Sequence, residues 1–551
     1  MPGDTNCLVG KDTWPSWTRA AWLGSAVVSP AIGQLGADMR AFRILASVAA
    51  ALALSSAAGQ ATAQDRSLAP VRVEGGLIAG TQDGGVVRYF GVPYAAPPVG
   101  DLRWRAPQSV KPWTGTRPAR AFSPVCRQTA PWMTEPQSED CLYLNIWAPA
   151  DAKKLPVMVW IHGGGFFGGA GSQAGYDGTR LTRQGVIVVT LNYRLGLFGF
   201  FAHPELSAES PAKASGNQGI LDQIAALGWV RRNIAAFGGD PKRVTIMGES
   251  AGAISVAALV ASPLAKGLFQ RAIAESGNDG VPMDPGENAT FDRAMAEAEG
   301  AAFAQGLGAV HLADLRAIDA DTLIHKPWAP RTIVDGHALR EDMATIYRDH
   351  RQNDVPILVG WNADEGKDLA PEILAMSEFT AAGHSALLAR LLGHAPSAKV
   401  LAAYPAATDA EAQESIFHFT SDYWGWRMWR WAELQARAGA SKPYVYYFVH
   451  SPAEPATPCG YGCKAGHGAE IRYVFDQLDQ DPRSWSADDR QLTREIVGYW
   501  TNFAKTGDPN GKGLPAWPAF DGSKPSALRL GTAAEIQERG ALPDFEALAA
   551  H

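Results

Sequence analysis

The sequence predicts an α/β fold with a mostly parallel central sheet, helices on both faces and a helical cap region. Several short runs are apolar without interruption, which is typical of strands buried on both faces of a parallel sheet. Helical stretches separate these runs, as expected for an alternating α/β layout. The runs are 157–161, 186–189, 273–274, 357–359 and 444–449.

The segments between and before these strands support the same architecture. Residues 218–234 carry apolar side chains at helical spacing. Residues 285–350 and 370–440 are richer in helix formers and are predicted to form the cap. Nearer the N-terminus, the alternation over 71–78 predicts an antiparallel hairpin, and the second half of 139–147 predicts a strand.

Composition excludes some classes of function. The chain has 551 residues, of which 46% are hydrophobic, so it has enough apolar side chains for a large core. Its net charge is -7, and no run of basic residues appears, which argues against a nucleic-acid partner. Residues 70–551 contain neither repeats nor a low-complexity linker, so we expect a single domain over 64–551.

The N-terminal region carries the pattern of a secretory signal peptide. A basic stretch at 39–43 precedes an apolar run at 44–54, and Ala61 and Ala63 have the small-x-small form of a cleavage site. This run is too short for a permanent membrane span. We therefore interpret 39–63 as a signal peptide, 1–38 as an upstream extension of the reading frame, and the mature protein as periplasmic or secreted without a membrane span.

The cysteine content fits an oxidising compartment. Cys126 and Cys141 can close a loop of about 15 residues, which would contribute roughly 3 kcal/mol as a disulfide. Cys459 and Cys463 form a second candidate pair. With His467 they have i, i+4, i+8 spacing, but the surrounding glycines disfavour the helix that a metal site there would need. A disulfide is the favoured interpretation, and no metal is predicted.

A nucleophile motif follows the strand over 244–246. Gly248, Ser250 and Gly252 form a G-x-S-x-G pattern, and the Ala-rich segment 253–260 continues it as a helix. Strand, motif and helix together predict a nucleophile elbow, in which a strained turn exposes the serine hydroxyl. The serine lies at the start of the helix, where the helix dipole favours negative charge.

Backbone donors for an oxyanion are predicted just after another strand. The sequence His-Gly-Gly-Gly-Phe occupies 162–166. Consecutive glycines allow several amides to point toward one atom, so Gly164 and Gly165 are predicted to act with the amide of Ala251. A phosphate-binding loop is the competing interpretation, but the G-K-[ST] that it needs is missing.

The acid of a triad should follow a later strand. Residues 355–361 form such a strand, and the turn at 362–366 contains two acids, Asp364 and Glu365. Chemistry alone leaves both open, and either could be a solvated turn residue.

The base should be a histidine that follows this acid, because the predicted chain order is Ser, acid, His. His467 lies on a glycine-rich loop that allows its ring to project into a site, whereas His450 ends a strand and suits a structural role. The histidines after residue 365 are His384, His394, His418, His450, His467 and His551.

These motifs together resemble the type-B carboxylesterase family, which has the α/β-hydrolase fold and includes carboxylesterases, para-nitrobenzyl esterases and cholinesterase relatives. The resemblance runs from about Val71 to Pro509. It is carried by 139–147, 162–166, 192–194, 237–241 and 248–252.

The resemblance implies specific residue roles. It implies a triad of Ser250, Glu365 and His467, with Glu365 chosen over Asp364. It also implies that Cys126 and Cys141 form the family's first disulfide. Two further residues match supporting positions of the family: Glu249, which precedes the nucleophile, and Ser276, which supports the acid and the base.

The expected function is hydrolysis of small-molecule carboxylic esters through an acyl-enzyme on Ser250, without a cofactor. The alternatives are a specialised lipase or natural-product polyester esterase of the same fold, and a non-catalytic cholinesterase-like binding protein. The loop between Cys126 and Cys141 is short beside that of cholinesterases, so their choline-binding aromatic residue is not assigned to this sequence. Candidate pocket residues are Phe166, Phe167, Trp132, Trp424 and Trp426, the last two with a helix-packing role as the alternative.

Overall fold

The computed structural model describes residues 66–277, 292–374, 379–453, 464–522, 526–538, 542, 543, 545, 547 and 548. The predicted signal peptide, the upstream extension and the pair Cys459 and Cys463 lie outside the described residues. Within the described ranges, the chain forms one large mixed sheet, two small sheets and fifteen α-helices.

The large sheet has twelve strands within the described part of the chain. Their spatial order is β1-β2-β3-β4-β6-β5-β7-β8-β9-β10-β11-β12. The seven strands from β6 to β11 in this order are mutually parallel, and the strands at both edges pair antiparallel. In chain order the strands are β1 Arg66–Ser67, β2 Thr81–Asp83, β3 Val86–Pro93, β4 Tyr143–Pro149, β5 Leu155–Ile161, β6 Ile187–Leu191, β7 Gly239–Glu249, β8 Arg271–Glu275, β9 Ile357–Asn362, β10 Pro443–Phe448, β11 Ser526–Leu530 and β12 Ala534–Glu538.

The predicted parallel sheet is therefore confirmed, and so is the predicted hairpin, in which Val71–Val73 pairs antiparallel with Gly76–Ala79. Thr116–Pro118 adds to this hairpin in a second sheet, and Val125–Cys126 pairs with Gln137–Ser138 in a third.

Helices connect the strands and supply the region over the sheet that was predicted as a cap. The longest is α13, with 30 residues. The α-helices are α1 Thr179–Thr182, α2 Gly196–Gly199, α3 Pro204–Glu209, α4 Gln218–Asn233, α5 Ala251–Ala261, α6 Arg293–Gly306, α7 Leu312–Ala317, α8 Ala320–Ile324, α9 Met343–Arg348, α10 Gly366–Leu374, α11 His384–Leu392, α12 Ala398–Ala403, α13 Asp409–Ala438, α14 Ile471–Val474 and α15 Ala487–Thr506.

The side chains of the central strands alternate between two apolar cores. On β5, Val157 and Val159 belong to the core that contains the apolar residues of α4 and α5. Met158 and Trp160 belong to the core on the opposite face, which contains those of α15. This double burial explains why the strand is apolar throughout, because neither face contacts water.

The arrangement of the sheet places several strand ends side by side. The carboxyl ends of parallel strands lie at one edge of a sheet, and ligands of open α/β sheets bind outside that edge. β5, β7, β8 and β9 are neighbouring parallel strands. Their last residues are Ile161, Glu249, Glu275 and Asn362, so the loops that follow them meet at a common site.

Candidate active site

Ser250 occupies a sharp turn between β7 and α5. Its backbone angles are φ 55° and ψ -125°, a strained conformation for a residue with a side chain. Glycines on either side permit the turn, because a Cβ on Gly252 would lie 2.1 Å from the carbonyl oxygen of Ile161. A Cβ on Gly248 would lie 2.6 Å from the same oxygen. The sequence thus forms the elbow geometry that the motif predicts.

The neighbouring strand β8 holds this turn in place. The Ser250 amide donates to the carbonyl oxygen of Glu275 at 2.9 Å, and the Ser250 carbonyl accepts from the Ile254 amide at 3.0 Å. A Cβ on Gly277 would lie 2.5 Å from the Ser250 carbonyl oxygen, so the chain after β8 also packs tightly against the elbow. Ser250 itself stays partly exposed.

The glycine loop after β5 runs beside the serine. A Cβ on Gly163 would lie 3.0 Å from Ser250 Cβ, which places this loop against the elbow. Gly164 and Gly165 have φ angles of 98° and 56°. Neither amide donates to a described residue, and the Gly168 amide closes the loop by donating to the Gly164 carbonyl at 2.9 Å. Two backbone donors are therefore available close to Ser250.

His467 and Glu365 contact each other at the edge of the sheet. His467 Nδ1 lies 3.0 Å from Glu365 Oε2. The other carboxylate oxygen, Oε1, accepts from the Asn362 amide at 2.7 Å, and the Glu365 side chain is fully buried. Both carboxylate oxygens are thus engaged, and the ring is oriented with Nε2 directed away from the acid.

The two neighbouring aspartates hold the backbone of the histidine loop instead. Asp364 Oδ2 accepts from the Ala465 amide at 3.2 Å, and its own amide donates to the Ala465 carbonyl at 2.9 Å. Asp368 Oδ2 accepts from the His467 amide at 2.9 Å. Of the two acids that the sequence left open, Glu365 is the one that contacts the imidazole.

The other ring nitrogen of His467 approaches the residue before the serine. Nε2 lies 3.1 Å from Glu249 Oε1, but neither atom has a hydrogen-bond partner among the described residues. The hydrogen bond expected between Nε2 and Ser250 is therefore not formed. Catalytic hydrogen bonds of free enzymes are often long and tighten when substrate binds, so this geometry does not separate the two residues functionally.

Several acidic side chains lie around the imidazole. Burial opposes the charged form of His467, but the carboxylates of Glu249 and Glu365 outweigh it and raise the pKa of His467 to about 10. Burial also raises the pKa of Glu249, and the negative charges of Glu470 and Glu365 add to this effect, although His467 opposes it. The proton affinities of the base and of the elbow glutamate are therefore linked.

The structure adds residues that the sequence did not single out. Asn362 Nδ2 donates to the Gly466 carbonyl at 2.8 Å and to Glu470 Oε2 at 2.5 Å, so it links the end of β9 to the histidine loop. Burial raises the pKa of Glu470. Glu275, at the end of β8, is likewise buried. The sequence signal for these residues is weak, because only the tertiary structure shows that these polar groups are buried around His467.

Ser276, predicted as a supporting residue, follows Glu275 directly. It is buried with φ 52°, and its amide donates to the Gly360 carbonyl at 2.9 Å. Its hydroxyl has no hydrogen-bond partner among the residues that the structure describes.

Two of the predicted pocket aromatics lie beside the glycine loop. Trp132 is 51% exposed, and its ring contacts that of Phe167 edge-on at 5.8 Å. A Cβ on Gly165 would lie 2.6 Å from the Phe167 ring. Phe166, in contrast, is buried and its ring lies 4.5 Å from that of Phe200.

The other two predicted pocket residues lie on α13. Trp424 is buried and Trp426 is partly buried. Both rings contact Tyr423 of the same helix, at centroid distances of 6.0 and 5.8 Å.

A disulfide joins Cys126 and Cys141. The loop that it closes reaches the glycine loop, because Gln128 accepts from the Gly169 amide at 2.8 Å and donates to the Gly169 carbonyl at 2.9 Å. Over the described ranges, no group of three or more His, Cys, Asp or Glu residues has the geometry to hold a metal ion.

Comparison with known proteins decides the family. The model of the carboxylesterase family matches residues 67–544. The chain belongs to the carboxylesterase family. Among carboxylesterases, it is 38% identical over 478 residues to the para-nitrobenzyl esterase of Bacillus subtilis (strain 168). This alignment covers 82% of this chain and 92% of that protein. It is 37% identical over 473 residues to the fumonisin B1 esterase of Sphingopyxis macrogoltabida. That alignment covers 81% of this chain and 84% of the other protein.

Solved structures of carboxylesterases agree with this assignment. A structure described as PNB esterase matches with a TM-score of 0.73 and 36% identity, and it covers 85% of this chain and 97% of the other. The fold is therefore the α/β-hydrolase fold, and this carboxylesterase is a serine hydrolase of carboxylic esters. Among its described residues, no helix is both long and apolar enough to cross a membrane.

Proposed function

We propose that this carboxylesterase cleaves small-molecule esters through an acyl-enzyme on Ser250. His467, oriented by Glu365, accepts the Ser250 proton as the hydroxyl oxygen attacks the ester carbonyl. The observation that carries this proposal is the hydrogen bond of 3.0 Å between His467 and Glu365. The other ring nitrogen lies 3.1 Å from Glu249, the residue before the serine of the strained elbow. Each of the three residues has the chemistry that one step of acyl transfer needs.

The proposed oxyanion donors are the amides of Gly164, Gly165 and Ala251. A tetrahedral intermediate places negative charge on the former carbonyl oxygen, and preorganised amides stabilise it. The amides of Gly164 and Gly165 donate to no described residue, and Gly163 approaches Ser250, which supports this assignment. His467 then protonates the leaving alcohol, and water repeats the sequence to release the acid.

The decisive experiment replaces the nucleophile. Ser250→Ala should lower the turnover of para-nitrophenyl acetate by several orders of magnitude, because no other group supplies the attacking oxygen. Ser255→Ala is a matched control on α5, since the Ser255 hydroxyl donates to the Ala251 carbonyl and accepts from Gln223 among the described residues. Undiminished hydrolysis by Ser250→Ala would reject the proposal.

The type of ester is a separate part of the proposal. We expect the exposed Trp132 and the partly exposed Phe167 to contact an apolar part of the ester, because both rings lie beside the glycine loop. The purified protein should be compared on short acyl esters, triglyceride emulsions and amides. Because one relative is named a fumonisin B1 esterase, fumonisin B1 belongs in the same panel. Preferred hydrolysis of triglycerides would favour the lipase alternative.

We also propose that the protein is exported as a single domain over 64–551, with residues 39–63 removed. The basic and apolar stretches of the leader support this, and so does the disulfide between Cys126 and Cys141. N-terminal sequencing of protein recovered from the periplasm or the medium should begin near Gln64. A product retained in the cytoplasm with its leader intact would contradict this part.

A further inference from the structure

Three buried carboxyl groups lie behind the imidazole: Glu249, Glu275 and Glu470, here called the carboxyl cluster. Their exposed fractions are 5%, 0% and 1%. Glu249 and Glu275 end the neighbouring strands β7 and β8, and Glu470 lies three residues after His467. Three anions in a buried site repel each other and lose hydration, so at least one of them should keep its proton.

Glu275 is the member of the carboxyl cluster for which no described cationic group offsets the cost of a negative charge. It pairs in register with Glu249 on the adjacent parallel strand, so both side chains lie on the same face of the sheet. Its Oε1 accepts from Trp500 Nε1 of α15 at 2.7 Å. Its Oε2 has no hydrogen-bond partner among the described residues. The Glu275 carboxyl group also forms no ion pair with any of them.

The groups that face Glu275 from the surrounding elements are acidic or neutral. Glu249 faces it from β7, Glu470 from the histidine loop, and the phenols of Tyr446 and Tyr176 from β10 and the segment before α1. Burial raises the pKa of Glu275 well above its ordinary value, and the charges of Glu470 and Glu249 raise it further, against the hydrogen bond from Trp500.

The unpartnered atoms of the cluster match what a carboxylic acid would supply. Glu470 uses Oε2 to accept from Asn362, whereas its Oε1 has no partner among the described residues. Glu249 Oε1 lies 3.1 Å from His467 Nε2, but it likewise accepts no hydrogen bond in the described part of the chain. A protonated Glu275 has one O–H to donate, and these oxygens are acceptors when ionised.

We propose that Glu275 is a positioning residue for His467. In this role Glu275 keeps its proton and donates it toward the carboxylates of Glu470 and Glu249. The proposal rests on the proposed role of His467 as the base. Glu275 thereby favours the ionised forms of the two carboxyl groups that lie closer to the imidazole. The charge state of the imidazole then depends on a residue that does not contact it.

The acid limb of the pH profile of kcat/KM tests this role. Glu275→Leu removes the donor, so Glu249 and Glu470 should hold their protons to higher pH. With less negative charge nearby, His467 should lose its proton at lower pH, and the acid limb should move down by about one pH unit. Glu275→Gln keeps an uncharged donor, and its acid limb should stay within a few tenths of a unit of the wild type.

Two outcomes of this comparison would overturn the proposal. One is an unchanged acid limb in Glu275→Leu, which would reduce Glu275 to a packing residue. The other is a downward shift in Glu275→Gln as large as that in Glu275→Leu, which would mean that Glu275 is ionised in the wild type.

Infrared spectroscopy gives a second test that needs neither turnover nor the leucine variant. The difference spectrum between wild type and Glu275→Gln at neutral pH should show the loss of a protonated carboxyl band. Loss of a carboxylate band instead would overturn the proposal. Because this readout is independent of catalysis, it stays informative even if Ser250→Ala were to show that the triad is wrong.

Discussion

Glu365 Oε2 lies 3.0 Å from His467 Nδ1, although the two residues are 102 positions apart in the sequence. The contact depends on the sheet, because Glu365 follows the end of β9 while His467 lies on the loop beyond β10, the strand next to it. A buried carboxylate at Nδ1 fixes the tautomer that leaves Nε2 free to accept a proton. The contact thus orients the imidazole before any substrate binds.

Replacing this acid should therefore remove most of the activity. Glu365→Gln should lower kcat for a para-nitrophenyl ester by about 10⁴-fold, because the amide favours the wrong tautomer. Asp364→Asn is the matched control, since Asp364 contacts the Ala465 backbone and not the ring. Its loss should be much smaller in the same assay. Equal losses in the two variants would contradict the assignment of the acid.

The pH dependence of the activity should follow the charge state of His467. The imidazole acts as a base only when neutral, and the surrounding carboxylates raise its pKa to about 10. Activity should therefore rise with pH through the neutral range and into the alkaline range. The measurement is kcat/KM on one ester over a broad pH series, and an activity maximum on the acid side would contradict this expectation.

Removal of the carboxyl group beside Nε2 of His467 should move the pH profile to lower pH. Glu249 Oε1 lies 3.1 Å from His467 Nε2 and favours the charged ring. Glu249→Gln should lower the pKa of His467 and move the acid limb to lower pH by about one unit or more. Glu299→Gln should leave the limb in place, because Glu299 pairs with Arg331 outside the site. A limb that is unmoved in Glu249→Gln would show that this contact does not govern the base.

Much of the site was predictable because its local backbone needs specific residues. Only glycine fits at 248 and 252 beside the Ile161 carbonyl, so the elbow leaves a pattern in the sequence. The buried strands are likewise visible as uninterrupted apolar runs, since both of their faces pack against helices. Such features depend on neighbours that are close along the chain or on burial alone.

The rest of the site depends on contacts between distant segments. Nothing local distinguishes Glu365 from Asp364, and the difference arises because Asp364 contacts the Ala465 backbone. Glu275 and Glu470 resemble ordinary acids in the sequence. They become unusual only because β8, α15 and the histidine loop bury them together.

The approach of the glycine loop to the elbow predicts that position 163 tolerates no side chain. A Cβ there would lie 2.7 Å from Glu249 Oε2 and 3.0 Å from Ser250 Cβ. Gly163→Ala should lower kcat at least tenfold and destabilise the fold by about 1–3 kcal/mol through overpacking. Gly175→Ala is the matched control, because a Cβ at that position meets no described atom within 4 Å. Full activity in Gly163→Ala would show that the loop can move away from Ser250 without cost.

The disulfide should stabilise the fold and the edge of the site together. Cys126 and Cys141 are 15 residues apart, so loss of the bridge should cost roughly 3 kcal/mol in the free energy of unfolding. The loop also carries Gln128, which holds Gly169 with two hydrogen bonds, so a looser loop should raise KM as well. The measurement is the urea midpoint of a variant with both Cys126→Ser and Cys141→Ser, together with its KM.

Reduction supplies the control for this variant. Dithiothreitol should lower the urea midpoint of the wild type more than that of the double variant, because only the wild type has this bridge to lose. Cys459 and Cys463 are present in both proteins, so any contribution from that pair cancels in the comparison. An equal response of the two proteins to the reductant would show that the bridge between Cys126 and Cys141 does not stabilise the native state.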